Sequence, residues 1–297
     1  MKQISIKLFC VLALFQWGCA TVNNSSEKTT DYTLNKPDAT NILPDILNEV
    51  SGLTEIDSVT IACIQDENGI LFIYNILNNK IEKQYSFDID GDYEGITRVH
   101  NTIYVLRSDG TLFEIKNYQL PDYEITSYTT GITAHNNEGL CYDAENNRLL
   151  IASKGKVAKG RQFKNKRVIY GFDLVTKTLS AEPVLEFDVQ NIKQFVITHN
   201  INLPTKNNKK NKATEPIVKL MTSAIAIHPL TKNLYLLSAA DYIFFVFNLN
   251  GNIVHIEPLD PEIFNKAEGI TFLNNGDMLI TNEAQKNKPT LLRFNYR

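Results

Sequence analysis

One short pattern opens five apolar segments of this chain, and its spacing restricts the fold more than any other feature. The pattern is a Ser or Glu, then a Gly or Ala, then a Leu or Ile. Its five copies are Ser51-Gly52-Leu53, Glu94-Gly95-Ile96, Glu138-Gly139-Leu140, Ser223-Ala224-Ile225 and Glu268-Gly269-Ile270. They begin 43, 44, 85 and 45 residues apart. A repeat of about 40 to 50 residues is typical of a β-propeller blade, which is built from four short antiparallel strands.

The repeat therefore predicts an all-β protein with five blades. Turn-forming pairs such as Asn68-Gly69 and Asp109-Gly110 separate alternating apolar runs within the blades, as expected for hairpins. The long third interval contains either one blade with a large insertion or two blades, one of them degenerate. Residues 190–219 begin with helical spacing and continue into a basic polar run. We therefore predict five blades with a helical or loop insertion at 190–219, and six blades are the alternative.

The last predicted blade has only three strands, Gly269–Leu273, Asp277–Asn282 and Thr290–Tyr296. An unpaired edge strand exposes backbone donors and acceptors to other chains. The segment before the first blade contains a spare extended piece, Tyr32 to Leu34. We predict that this N-terminal piece supplies the fourth strand and closes the ring.

The beginning of the chain reads as an export signal. An apolar stretch from Leu8 to Phe15 lies next to Lys2 and Lys7, is too short to span a membrane, and is followed by Gly18-Cys19. A cysteine directly after a small residue resembles a bacterial lipoprotein site. We predict cleavage before Cys19 and lipidation of its thiol, and plain secretion is the alternative.

These features divide the chain into three parts. Residues 1–18 are the predicted lipoprotein-type signal peptide, residues 19–31 a flexible tether rich in Asn, Ser and Thr, and residues 32–297 a single propeller domain. The predicted location is the bacterial cell envelope, on its periplasmic side or at the cell surface. The predicted first partner is the membrane, through the lipid on Cys19.

The net charge bears on the class of partner, and the cysteine content bears on whether the domain contains a disulfide. The formal net charge is −3, and such a mildly acidic balance argues against nucleic acid as a partner. Cys63 and Cys141 each lie inside an apolar strand of a different blade. We predict that both are buried small hydrophobic residues and that they form no disulfide.

The openings of the repeats predict a polar ring at one end of the central channel. The first strand of a propeller blade lines the channel, and the second strand, running antiparallel, ends at the same face. The first ring is Ser51, Glu94, Glu138, Ser223 and Glu268, and we call the opening that it surrounds the glutamate mouth. A second ring ends the second strands and contains Gln65, Asp66, Arg107, Ser153, Lys154, Ser238, Asn282 and Glu283. His135, three residues before Glu138, approaches the same face, which is the predicted binding face.

Three glutamates at one mouth repel one another unless something balances their charge. A hard cation, Ca²⁺ or Mg²⁺, held by Glu94, Glu138 and Glu268 would do so. Ion pairs with Arg107 and Lys154 in the same layer would do so without a metal. Direct contact with a substrate is the third alternative, and the sequence leaves all three open.

The repeats resemble the SdiA-regulated (YjiK-type) propeller family of bacterial envelope proteins. The resemblance rests on the Glu-Gly-Ile/Leu openings at 94, 138 and 268, on Val50-Ser51-Gly52-Leu53 leading into Ala62-Cys63-Ile64-Gln65-Asp66, and on Ser223 through Pro229. It covers nearly all of residues 32–297 and implies a five-bladed propeller. The family name implies no activity.

The sequence contains neither a Gly-x-Ser-x-Gly nucleophile motif nor a Cys-x-x-Cys pair nor a phosphate-binding glycine loop. The favoured function is therefore a binding or scaffold module of the envelope, with a small molecule or an envelope protein as its partner. A metal-dependent hydrolase of lactonase or phosphoesterase type, using the same face, is the alternative. A structural partner in an envelope complex, in contact through the insertion, is the third hypothesis.

Overall fold

The computed structural model describes residues 31–134, 136–207 and 214–297. The predicted signal peptide, Cys19, the tether up to residue 30, His135 and the end of the basic run lie outside the described residues. Within the described ranges, no helix combines the length and the apolar character that a membrane span requires.

The chain folds into five antiparallel sheets whose strands succeed one another from the central channel outward. The first strand along the chain, β1 (Ala39–Ile42), belongs to the last sheet. Blade one is β2 (Val50–Glu55), β3 (Thr60–Gln65), β4 (Ile70–Asn75) and β5 (Lys80–Ser86). Blade two is β6 (Tyr93–Val99), β7 (Thr102–Arg107), β8 (Thr111–Lys116) and β9 (Glu124–Thr129).

Blade three is longer than the others and carries the insertion. It contains β10 (Asn137–Asp143), β11 (Arg148–Ser153), β12 (Lys166–Asp173), β13 (Thr178–Leu179) and β14 (Leu185–Asp188). The short strands β13 and β14 both pair with β12 and share the outer position. The helix α1 (Val189–Thr198) follows, and then the hairpin of β15 (Thr205–Asn207) and β16 (Thr214–Pro216). The predicted helical insertion is therefore confirmed.

The last two blades complete the ring. Blade four is β17 (Ala224–Ile227), β18 (Leu234–Ser238), β19 (Ile243–Phe247) and β20 (Ile253–Pro258). Blade five is β21 (Ala267–Phe272), β22 (Met278–Asn282) and β23 (Thr290–Phe294), followed at its edge by β1. The inner strands β2, β6, β10, β17 and β21 contact one another in this order, and β21 contacts β2. Five blades are confirmed, and the alternative of six is wrong.

The core lies between neighbouring blades, where apolar residues from facing sheets form successive clusters. Cys63 and Cys141 belong to these clusters as free, buried thiols, as predicted. Burial raises the pKa of the Cys63 thiol to about 12, so it stays a neutral, apolar side chain.

An N-terminal strand closes the ring, but it is not the strand that the sequence predicted. Residues 39–42, and not Tyr32 to Leu34, pair with β23, with Ala39 opposite Arg293 and Ile42 opposite Thr290. Outer strands of a propeller face solvent, and most side chains of β1 are exposed. Tyr32 and Leu34 are large apolar residues that bury themselves in the cluster between blades four and five, so they anchor the strand and do not form it.

The Tyr32 anchor is a hydrogen-bonded aromatic cluster at the face opposite the glutamate mouth. The Tyr32 hydroxyl donates to the carbonyl of Gly276 at 2.5 Å and lies 2.7 Å from Nε2 of His228. The backbone N–H groups of Leu230 and Thr231 donate to Nδ1 of His228. This places the proton of the neutral imidazole on Nε2, and burial lowers the pKa of His228 to about 4.

We predict that the Tyr32 anchor holds the closing strand in place. Tyr32→Ala should cost about 3 to 5 kcal/mol of unfolding free energy, because a buried aromatic ring is lost. Tyr32→Phe should cost about 1 to 3 kcal/mol, because it leaves buried hydrogen-bonding groups unpaired. Denaturant unfolding measures both, with Ile46→Ala at an exposed position as the control. A Tyr32→Ala protein as stable as the control variant would show that closure does not depend on the anchor.

A β-bulge and a glycine explain the repeated pattern. In four blades the register between the first and second strands shifts by one residue, and the unpaired extra residue is Ser51, Glu94, Glu138 or Glu268. A bulge redirects the side chain of its extra residue. The glycine that follows lies where the neighbouring inner strand approaches: a Cβ on Gly95 would lie 2.8 Å from Leu140 Cβ and 2.9 Å from the Glu138 carbonyl oxygen. The pattern is thus a packing requirement of the ring.

We predict that this close approach makes the glycine necessary. Gly95→Ala should destabilise the protein by about 1 to 3 kcal/mol, as overpacking does in other cores. The matched control is Gly155→Ala, since a Cβ on Gly155 meets no atom within 4 Å, and it should change stability by less than about 0.5 kcal/mol. Equal stabilities of the two variants in denaturant unfolding would refute the packing explanation.

Candidate functional site

The five pattern openings meet at one end of the channel, as predicted. Ser51, Glu94, Glu138 and Glu268 line a narrow cavity of 10 Å³, which is room for about one water molecule. Ser223 lines an adjoining pocket together with Glu268. Glu138 and Glu268 are almost completely buried, and Glu94 is partly buried.

The channel does not run open through the ring. One residue after each glycine or alanine of the pattern is an aliphatic side chain that lines the channel, and four of the five pack over the glycine of the preceding blade. These five residues are Leu53, Ile96, Leu140, Ile225 and Ile270, all buried. They form the floor of the glutamate mouth and also of a separate 280 Å³ cavity at the opposite end. The ring therefore has two mouths with a hydrophobic plug between them.

The two serines of the first ring tie neighbouring blades together. Ser51 Oγ donates to the carbonyl oxygen of Tyr93 at 2.6 Å, and Ser223 Oγ donates to that of Ala267 at 2.7 Å. Each acceptor directly precedes the ring glutamate of the next blade. The serines therefore position Glu94 and Glu268 and are already engaged.

Most of the second ring also serves the fold. Gln65 accepts a hydrogen bond from the backbone of Glu67 and braces a turn. Ser153 donates to Asn137, Ser238 to Asp241, and Asn282 to the carbonyl oxygen of Ile263. Arg107 pairs with Asp109 at 2.9 Å and with Asp88 at 3.5 Å. The predicted pairing of Arg107 with the ring glutamates is therefore wrong, because acids in its own blade and in the adjacent loop lie closer.

Two lysines provide the positive charge at the glutamate mouth. Lys154 Nζ lies 2.6 Å from Glu138 Oε1, which confirms the predicted partner. Lys266 forms an ion pair with Glu283 and lies 3.7 Å from Glu268 Oε1. The sequence analysis missed Lys266, although a lysine two residues before a ring glutamate was a usable signal. Burial disfavours the charge on both lysines, but these acids outweigh it and raise the pKa of each.

The acids at this mouth outnumber the bases, and their pKa values rise accordingly. Burial, together with repulsion from the other carboxylates, raises the pKa of Glu94 to about 9 and that of Glu268 to about 8. Burial raises the pKa of Glu138 to about 7 despite the attraction of Lys154. Asp92, which the sequence analysis also missed, adds to the repulsion on Glu94 and Glu138. Asp66 has a raised pKa because of burial and of Glu283. The site therefore holds carboxyl groups that are protonated or titrate near neutral pH.

Three buried carboxyl or amide oxygens of the two predicted rings lack a hydrogen-bond partner among the described residues. Glu138 Oε2 is buried and makes no hydrogen bond in the part of the chain that the structure describes. Oδ1 of Asp66 and Oδ1 of Asn282 share this property. Buried acceptors without donors are uncommon in folded proteins, and each requires an explanation. A bound ligand that donates hydrogen bonds is one such explanation.

No set of three or more Asp, Glu, His or Cys side chains in residues 31–134, 136–207 and 214–297 is arranged to hold a metal ion. Glu94, Glu138 and Glu268 share the mouth, but the arrangement of their side chains is not that of a ligand set. The predicted Ca²⁺ or Mg²⁺ site therefore stays a prediction.

A pocket of 210 Å³ opens beside the mouth, between blades four and five; we call it the edge pocket. Its lining includes the charged residues Lys154, Lys266 and Glu268 and the large side chains of Met221 and Tyr242. Arg167 holds the segment that leads into Met221 by donating to the carbonyl oxygens of Lys219 and Leu220 at 2.7 and 2.8 Å. The edge pocket gives the glutamate mouth room for a small organic group.

Comparison with known proteins shows the fold and leaves the chemistry open. No protein-family model matches the chain, and no curated protein matches it. Solved structures do match. The glutaminyl cyclase of Myxococcus xanthus is 13% identical with a TM-score of 0.57, over 88% of this chain and 95% of that one. The virginiamycin B lyase of Staphylococcus aureus is 14% identical with a TM-score of 0.45, over 85% and 68%. The matching structures are β-propellers, and identities this low show a shared fold alone.

We predict that the glutamate mouth makes the protein less stable as the pH rises. The pKa of Glu94 goes from 4.5 in the unfolded chain to about 9 in the folded protein. The folded state therefore keeps a proton that the unfolded state releases, and stability falls as the pH rises towards 9. Glu94→Gln should melt higher than the wild type at pH 9 and should reduce the fall in Tm between pH 7 and 9. The range from pH 7 to 9 lies above the pKa of His228 in both the folded and the unfolded state, so this histidine does not contribute to the fall in Tm.

Glu262→Gln, at an exposed position, is the control and should leave the slope of Tm against pH unchanged. A Glu94→Gln protein that melts below the wild type at pH 9 would show that the carboxylate is not destabilised by its surroundings.

Proposed function

We propose that this protein is a ligand-binding propeller of the bacterial envelope that holds a positively charged nitrogen of a small ligand at its glutamate mouth. The observation that supports this most directly is Glu138. One of its oxygens is paired with Lys154, and the other is buried without a donor among the described residues. A ligand ammonium group would supply both the missing hydrogen bond and the missing charge.

The electrostatics of the mouth favour a cation. Carboxyls whose pKa is raised by burial and mutual repulsion gain most from a neighbouring positive charge, which lowers the pKa again. The edge pocket supplies space for the rest of the ligand, and the aliphatic floor keeps water from reaching the carboxylates from the far side. Binding of this kind requires no nucleophile, and the sequence contains no Gly-x-Ser-x-Gly nucleophile motif.

A divalent cation is the second candidate for the same charge and would lead to the metal-dependent hydrolase. Ca²⁺ needs six to eight oxygens and Mg²⁺ a near-ideal octahedron. The carboxylate side chains of the described chain do not form a ligand set, and Glu138 already uses one oxygen for Lys154. We therefore favour an organic cation, and the experiment below separates the two.

The envelope location rests on the resemblance to the SdiA-regulated family and on the lipoprotein-type start with Cys19. The position of Tyr32 agrees with it. Tyr32 lies at the face opposite the glutamate mouth, in contact with the turn at Gly276. The described chain therefore begins at that opposite face, and an anchor attached there would be remote from the ligand site.

The test uses glycinamide, a small free amine without a carboxylate, and N-acetylglycinamide, which lacks the charge. Glycinamide should raise the Tm of the purified protein at pH 7.5, and N-acetylglycinamide should not. A ligand at a hundredfold excess over Kd adds about 2.7 kcal/mol to stability. Calorimetric titration should show weaker binding at pH 6, because the carboxyl of Glu138 then keeps its proton.

Glu138→Gln should abolish the response to glycinamide, and the control Glu262→Gln should keep it. A Tm increase with Ca²⁺ or Mg²⁺ that a chelator reverses and that Glu138→Gln removes would replace this proposal with the metal site. No response to any of these probes would refute cation binding at the glutamate mouth.

A further inference from the structure

We infer that the ligand is the amino terminus of an acidic peptide, with its ammonium group at the glutamate mouth and its carboxylates on a neighbouring basic loop. This inference rests on the proposed function and identifies the class of ligand. Three features support it: the basic loop, its connection to the mouth, and the distance between the two sets of charges.

The basic loop, residues 154–165, joins β11 to β12 at the same face as the glutamate mouth. It contains five Lys or Arg residues and no Asp or Glu. Four of these side chains are exposed and have no ion-pair partner in the described chain. They are Lys156, Lys159, Arg161 and Lys164. An unpaired basic surface next to an acidic mouth gives this face two charged regions of opposite sign.

Lys154 connects the two regions. Its side chain is paired with Glu138 and lines the edge pocket, and its backbone begins the basic loop. The N–H of Lys154 donates to the carbonyl oxygen of Asn136 at 2.8 Å, which fixes the start of the loop beside β10. Arg167, just after the loop, donates to the carbonyl oxygens of Lys164 and Lys166 and to that of Lys219, two residues before Met221 of the edge pocket. Both ends of the loop are therefore held against the site, which reduces the ordering cost of binding.

The separation of the charges selects a peptide over a free amino acid. In a free amino acid the carboxylate is bonded to the carbon that carries the ammonium group, so it stays at the mouth, beside Lys154 and Lys266, and does not reach the exposed cations of the basic loop. In a peptide the first carbonyl is neutral, and the acidic side chains follow one or more residues later. Two residues of extended peptide span at most about 7 Å. The same limit applies to the distance between the Cα atoms of Lys154 and Lys156, because these residues are also two positions apart. Acidic residues at the second to fourth positions of a peptide therefore reach the basic loop.

The edge pocket accommodates the first residue. Its volume of 210 Å³ suits a single amino-acid side chain, and its lining combines Met221, Ala239, Ala240 and Tyr242 with the uncharged polar residues Ser223, Asn265 and Gln285, besides the charged residues of the mouth. The inferred ligand thus has a free amino group, an uncharged first residue and acidic residues after it.

The test compares three peptide amides by calorimetric titration at pH 7.5. They are Leu-Gly-Glu-Glu with a free amino terminus, the same peptide acetylated at its amino terminus, and Leu-Gly-Gln-Gln with a free amino terminus. The first should bind at least tenfold more tightly than either of the others. Its advantage over the neutral peptide should shrink in 0.5 M NaCl, since salt screens exposed charges.

Two variants and one matched control show which charges bind which part of the peptide. Replacing Lys156, Lys159 and Arg161 together by Gln should remove the preference for acidic residues and leave the binding of glycinamide unchanged. Lys80→Gln with Lys83→Gln, on the exposed outer strand β5, is the matched control and should change neither. Glu138→Gln should weaken every peptide with a free amino group.

The outcomes separate the inference from the proposed function. Equal affinity for the acidic and the neutral peptide, while glycinamide still binds in a Glu138-dependent way, overturns the inference and leaves the proposed function standing. Equal affinity for the free and the acetylated acidic peptide also overturns it, because the loop then binds anions without the mouth. Failure of glycinamide itself overturns the proposed function, and the inference falls with it.

Discussion

The close approach of five inner strands around one axis is the constraint on which the rest of the molecule depends. Neighbouring strands come so near that a Cβ at the position after each of the four bulges would lie 3.0 Å or less from another atom. The bulge leaves one residue out of the ladder, and that residue turns towards the channel. Packing therefore decides where a polar side chain is presented, and the side chain itself, Ser or Glu, decides what it does there.

Serine and glutamate occupy equivalent positions of the first ring, but their side chains are satisfied differently. Ser51 and Ser223 satisfy their hydroxyl groups on the next blade and need nothing else. The glutamates are longer and reach into the mouth, where burial and mutual repulsion raise their pKa values. Carboxyl groups with perturbed pKa values cluster at functional sites, so the glutamates and not the serines support the proposal of a binding site.

The sequence predicted the parts of this structure that follow from the spacing of the repeats and from the geometry of antiparallel strands. The spacing of the Glu-Gly-Ile openings gave the number of blades, and strand geometry placed Glu138 and Lys154 at one mouth. The closing strand was misplaced because β1 has no apolar signal: its partner, β23, lies some 250 residues away in sequence, and its side chains face solvent. Arg107 was misassigned because the choice among nearby acids depends on how each side chain packs, which spacing does not contain.

The hydrophobic plug gives the two mouths separate roles. Because Leu53, Ile96, Leu140, Ile225 and Ile270 fill the channel, a ligand at the glutamate mouth has no path through the ring and must enter and leave by the same side. The Tyr32 anchor lies at the other face, where the beginning of the domain is fixed. The predicted attachment through the N-terminal segment and the proposed binding at the glutamate mouth therefore fall at opposite ends of the ring. Charges at the glutamate mouth can then change without altering how the ring closes, because β1 closes it through backbone pairing with β23 and none of the ring carboxylates takes part in that pairing.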